Sequence, residues 1–439
     1  VVSAADFIVW NDATIDNQTG GNSTTNYLVN DNVTLSTNSS MSVFYGTIDG
    51  HRISGNAAGA GMIVIGGNLT MHGNIGATNA TGNFTISNGN TLTLASNVST
   101  FNSDNMTLSD NTVLNFGNVT SGYNRGSSET LTFASNITMG SNSTINVGNG
   151  TTLNGNIYGA GTLNVLGNFT STGSIGAAQV DGADFITSGL EQINISKGNT
   201  FTLNNNATAT RMNINGTVTV AGNITAAVTM GADGILNLNN ESGDDNAAKV
   251  VGAIQSYVVD TAQGTLNING TFTTQGAIGQ GGKGLAAINL SNSTWSNGFT
   301  TTFAHNVNAT TIRLGTSNIQ TNATLAISDG SGVITTVTGA IVYSGNSSAA
   351  GILDINNDAI FAGAIGTSDN SIETITIAAL KEAAFKGSVY SGNITLESAT
   401  NASGGNATLA FNGTANTAYT ITGQIDGGSY GQGRIMVNT

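Results

Sequence analysis

The chain has no cysteine and no proline among its 439 residues, only 10 Lys and Arg against 24 Asp and Glu, and 6% aromatics. Each scarcity excludes something. Without cysteine there are no disulfides, thiolate zinc sites, iron–sulfur clusters or cysteine nucleophiles. A lack of proline suits a backbone whose N–H groups are nearly all needed in β-ladders, and predicts that every strand is interior. The ten cations are scattered singly from Arg52 to Arg434, and with a formal charge of −14 and a pI near 4.2 they argue against nucleic acid and anionic membrane surfaces as partners. The longest apolar runs, such as residues 375–380, are far too short to span a bilayer. No initiator Met or signal peptide precedes Val1, which reads as a processed or trimmed end.

What is present is equally one-sided. Glycine fills 60 positions, and 38% of residues are hydrophobic, too many for a disordered polar tract. Glycine, Asn, Ser and Thr are poor helix formers, so the composition predicts an all-β chain. The only helix-compatible stretch, residues 378–386, is read as a strand edge or one-turn insertion.

The sequence repeats. A block with the pattern Gly-x-x-x-(Ile/Val)-x(7)-Gly-x-Ile-Gly occurs four times, at residues 61–76, 161–176, 264–279 and 351–366. A Gly-x-Ile step precedes each block, at Gly46, Gly155, Gly252 and Gly339, and a fifth opens at Gly423; the spacings are 109, 97, 87 and 84 residues. Smaller echoes lie inside, such as NGNTLTL at 88–94 and KGNTFTL at 197–203. Short alternating strands bounded by Gly and Asn turns, repeated at such intervals, predict a right-handed parallel β-helix, or β-solenoid, of imperfect 84–109-residue units. Tandem β-sandwich domains are the alternative. The expected division is 1–45 as an N-terminal cap or assembly segment, repeat units at 46–154, 155–251, 252–338 and 339–422, and an incomplete fifth unit at 423–439. At about 20–25 residues per coil the chain would form a rod on the order of 95 Å long. Glycine would supply tight corners, and Asn would supply turns and amide ladders. The open fifth repeat suggests head-to-tail joining, with the apolar strand around Phe7 and Trp10 supplying a coil to a neighbour.

The blocks at Gly161, Gly264 and Gly351 resemble the passenger repeats of rickettsial surface-cell-antigen autotransporters of the outer-membrane protein A and B type, and of related α-proteobacterial surface-layer proteins. The matching residues are Gly161-Thr162-Leu163, Gly173-Ser174-Ile175-Gly176 and Ile193-Asn194-Ile195. The resemblance implies export, surface exposure and a coat or adhesin role. It also implies a released passenger, or a protein exported another way, since no translocating barrel is seen.

Chemistry-bearing residues are few. His51, His72 and His305 lie far apart without carboxylates at metal spacing and are read as structural or surface residues. Asp181 and Asp184 with Glu191, and Asp244 with Asp245, are the densest acidic sites, but cations near them are too sparse for a polysaccharide-cleaving pair, so no enzyme is expected. Calcium is the one cofactor considered, with Asp244, Asp245, Asp329 and Asp369 as candidate ligands and a solvated acidic turn as the preferred alternative. The glycine run at 279–284 is not followed by a helical pattern and is not read as a phosphate loop. Trp10 and Trp295 are read as core or interface residues.

Asn-x-Ser/Thr sequons number 29 among 60 Asn, where the Ser and Thr content predicts about 14. One reading is dense N-glycosylation. The other, preferred here, is strand grammar: a turn Asn, an apolar residue, then an outward Thr, as at Asn68, Asn168 and Asn393. The whole reading is an extracellular surface-coat protein, an S-layer-like array or filament, whose partner is itself, joined laterally or head to tail, with an outer membrane or host surface beside it. An adhesin with affinity in the insertions at 122–130 and 176–189 is second, and a polysaccharide-active enzyme third.

Overall fold

The computed structural model describes short strands between residues 7 and 50, then residues 63–78, 80–116, 130–177, 179–181, 184–186, 189–239, 248–291, 299–315, 323–328, 333–343, 351–398, 405–413, 418–427 and 433–438. These residues are all β, with no helix. The chain divides into two compact units, Val1–Val218 and Thr219–Thr439, each built from parallel strands that pair with the strand one coil away. Parallel pairing is the register of a solenoid and not of a β-sandwich, whose sheets are antiparallel.

In the first unit three columns of inward side chains run from coil to coil. One follows Ile63, Phe84, Met106, Ile137, Ile157 and Ile175. A second follows Met71, Leu94, Phe116, Val147, Val165, Ile195 and Ile214. The third follows Ile75, Phe101, Phe133, Leu153, Ser171 and Leu203. All are buried. Strands such as Ile157–Val165 alternate strictly between buried and half-buried residues, which is how one row of apolar side chains per strand becomes a continuous core. Phenylalanines stack within it: the Phe101 and Phe133 rings lie 4.3 Å apart and parallel, and Phe169 and Phe201 are 5.1 Å apart.

The second unit repeats the plan. Val228, Ile254, Ile278, Val307, Val337, Phe361 and Phe385 form one buried column, and Leu266, Ile288, Ile312, Ile341, Ile365 and Val389 another. Coil length varies, since bonded neighbours in adjacent coils lie from 18 residues apart, as Asn146 and Asn164, to 32, as Ser103 and Ser135.

The repeated block does not restart on the same face. In the first unit the opening strand of the block at Gly61, Ile63–Ile65, stands in the column that ends with Ile175, the closing residue of the block at Gly161. In the second, the opening strand at Thr265–Asn269 stands in the column of Ile365, which closes the block at Gly351. Each later block therefore begins one face further round. The unequal spacings combine this advance with coils of unequal length.

The expectation that every strand is interior fails at one described place. Gln179–Asp181 and Asp184–Ile186 pair antiparallel only with each other, as a hairpin inserted within a coil. Ile421–Asp426 and Arg434–Asn438 leave Ile421, Ile425, Ile435 and Val437 exposed. Phe7–Val9 pairs parallel with Asn26–Val29 of its own chain. The helix-compatible stretch is a turn followed by the strand Glu382–Phe385.

Candidate functional site

The recurrent glycines are the most regular chemical feature of the chain, and their surroundings say what they are for. A Cβ on Gly173 would fall on the carbonyl of Gly155 one coil away, one on Gly276 on that of Gly252, and one on Gly363 on that of Gly339. The closing glycines of the four blocks, Gly76, Gly176, Gly279 and Gly366, have φ between +62° and +72°, and a Cβ there would strike the carbonyl oxygen of Asn102, Thr208, Asn308 or Tyr390. The motif is a device for bringing the backbones of successive coils together.

Outside the core, half-buried Asn side chains form the anticipated amide ladders. Asn146 Nδ2 donates to Asn115 Oδ1, Asn164 to Asn146, Asn194 to Asn164 and Asn213 to Asn194, each at 2.8 Å. In the second unit Asn267 donates to Asn237 and Asn289 to Asn267, both at 2.7 Å, and Arg313 continues the row to Asn289 at 3.3 Å. Each rung closes a polar pair between coils where a side chain would otherwise compete for water. The block at Gly351 has Asp354 at the position of Asn164 and Asn267. Burial pushes the Asp354 carboxyl up from the usual carboxylate range, against a hydrogen bond from Thr376 that pulls it down.

One groove in the second unit has the shape of a site. It has a volume of about 390 Å³ and runs along the corners before Ile254, Ile278, Val307 and Val337. It is lined by the small residues Ala253, Gly276 and Ala277, by the polar Gln275, Gln280 and His305, and by the exposed Ile334. No carboxylate lines it, so it holds no acid–base pair. Sequence reasoning treated His305 alone and missed the groove, whose only signal is the recurrence of Gly-Ala steps in successive coils.

The other singled-out residues stay apart. His72 Nδ1 lies 3.1 Å from Asn97 Oδ1, and Asn97 Nδ2 donates to the His72 carbonyl at 2.6 Å, tying two coils at the surface. Asp181 and Asp184 are register partners in the hairpin. Asp369 is exposed in a turn in which Asn370 N–H donates to Thr367 Oγ1 at 3.0 Å. Asp244, Asp245, Asp329, His51, Trp10, Trp295 and the insertion at 122–129 lie outside the described residues. Among the described residues no group of three or more His, Cys, Asp or Glu could hold a metal ion, and no helix is long and apolar enough to cross a membrane. After Gly279–Gly284 comes the strand Leu285–Ser291, so the glycine run has no helix N-terminus to make it a phosphate loop.

Compared with protein-family models, with curated proteins and with solved structures, the chain matches none.

Proposed function

We propose that the protein is a structural component of an extracellular surface coat, an S-layer-like array or filament of self-associating β-solenoids. The observation that carries the reading is where the sequence spends its regularity. The residues that recur from block to block, Gly173 and Gly176 with Gly276, Gly279, Gly363 and Gly366, sit where the backbones of successive coils meet. The Asn ladders likewise serve stacking. Such a pattern suits a scaffold, and the resemblance of its blocks to autotransporter passengers points to the outside of a cell. The acidic balance of −14 keeps separate copies soluble until specific edges meet.

Electron cryo-microscopy of the native cell surface and of shed material, with and without a calcium chelator, tests this. A regular array is expected, and its dissolution by chelator would add calcium as the joining ion. Sparse, isolated projections would replace the coat with an adhesin, and absence from the surface would remove both.

A further inference from the structure

We propose that Asn68 and Asn168 carry N-linked glycans. The inference rests on the export that the coat reading requires, and it starts from a division the fold makes among the sequons. At Asn194, Asn269 and Asn289 the side-chain nitrogen is committed: it donates to Asn164 at 2.8 Å, to Asn239 at 2.8 Å and to Asn267 at 2.7 Å. Each of these nitrogens has two hydrogens, and a sugar replacing one would crowd a half-buried ladder rung between coils.

Asn68 and Asn168 occupy equivalent positions in the blocks at Gly61 and Gly161, and both are exposed. Each uses only its oxygen. Asn68 Oδ1 accepts the N–H of Thr91 at 2.8 Å, and Asn168 Oδ1 accepts the N–H of Thr200 at 3.0 Å, each bond joining adjacent coils. The block at Gly351 shows that the fold asks for no more than this, because there Asp358, which has no amide nitrogen, accepts the N–H of Glu382 at 2.8 Å. Strand grammar thus explains an acceptor at this position and the buried Leu69 or Phe169 after it, and it gives the side-chain nitrogen of the exposed Asn68 and Asn168 no bond to make. Thr70 and Thr170 lie on the same outer side of their strands, completing an extended Asn-x-Thr acceptor at the surface.

The donor is a sugar linked through phosphate to a polyprenyl lipid. The asparagine nitrogen attacks the anomeric carbon and the N–C bond forms as the C–O bond to phosphate breaks. The polyprenyl phosphate or diphosphate leaves with the electron pair, and the amide loses one proton to a base. Afterwards Oδ1 still accepts the bond from the next coil, so the modification is compatible with the stacked fold.

Mass spectrometry of proteolytic peptides from the protein isolated from its own cells, beside surface labelling of those cells, decides it. Peptides with Asn68 and Asn168 are expected to carry added saccharide mass, and those with Asn194, Asn269 and Asn289 to be bare. Asn68→Asp and Asn168→Asp should abolish the added mass and leave the unfolding midpoint of the unglycosylated protein unchanged. A surface-exposed protein bare at Asn68 and Asn168, or one modified equally at the ladder residues, would overturn the proposal and leave the coat reading standing. A protein not found at the surface would overturn both.

Discussion

Gly173 and Gly198 flank the stacked pair Phe169 and Phe201 in the first unit, and in the sequence both are glycines between short strands. They are glycine for opposite reasons. Gly173 has no positive φ, but a Cβ on it would fall on the Gly155 carbonyl in the neighbouring coil. Gly198 has a φ of +77° and nothing within 4 Å of where a Cβ would lie. One position lacks space, the other requires a backbone conformation. The molecule has already shown how cheap the second requirement is. Residues 87–90, 196–199 and 378–381 are the same turn, closed by Asn90 N–H to Ser87, Asn199 N–H to Ser196 and Lys381 N–H to Ala378. The third residue is Gly89, Gly198 and then Leu380, which keeps φ at +67°. No described block places a larger residue at the corner of Gly173.

The contrast can be pressed first where both requirements coincide. Gly176 has φ +67° and a Cβ there would meet the Thr208 carbonyl, so Gly176→Ala should lose about 4 kcal/mol in denaturant unfolding. Contact between coils made by side chains is softer. Asn164→Ala removes a donor to Asn146 and an acceptor for Asn194, and should cost about 2 kcal/mol by the same measurement. At the permissive turn the sign reverses: Leu380→Gly relieves an unfavourable φ on an exposed side chain and should gain about 1 kcal/mol.

The smallest effect concerns Asp354, which stands in a ladder position without an Asn neighbour, between Ala326 and Thr376. Burial holds its carboxyl above the ordinary aspartate value of 3.8 in the folded chain, so the folded state binds its proton more tightly than the unfolded one. Stability from this group is therefore present below about pH 3.8 and declines as pH rises through the raised value. Asp354→Asn should raise the melting temperature by about 1 °C at pH 7, with the gain vanishing below pH 3.8 in a pH series of thermal melts.

Much of this architecture was legible in the sequence because its strongest demands fall on residue types that leave a visible mark. A corner with no room for Cβ must be glycine, so the blocks carrying Gly173, Gly276 and Gly363 stood out. The alternation of Ile157–Val165 and the repeated Asn of the ladders showed in the same way. Three features were hidden. The turn at 378–381 lost its signature when Leu took the place of glycine, and the strand Glu382–Phe385 after it is built from good helix formers, so only parallel pairing with Ala359–Phe361 and Thr408–Asn412 makes it β. The advance of each block by one face depends on summed coil lengths, which no local pattern records. The groove beside His305 is assembled from Ala253, Gly276 and Ile334 in different coils, and becomes a neighbourhood only once the coils are stacked.

The recurrent glycines at the corners are contacts between coils, whereas those in the turns serve only the local backbone. Chemical unfolding of Gly173→Ala beside Gly198→Ala tests it most directly. A loss of about 3 kcal/mol is expected for Gly173→Ala and about 1 kcal/mol for Gly198→Ala. Equal losses, or a larger loss at Gly198, would contradict it.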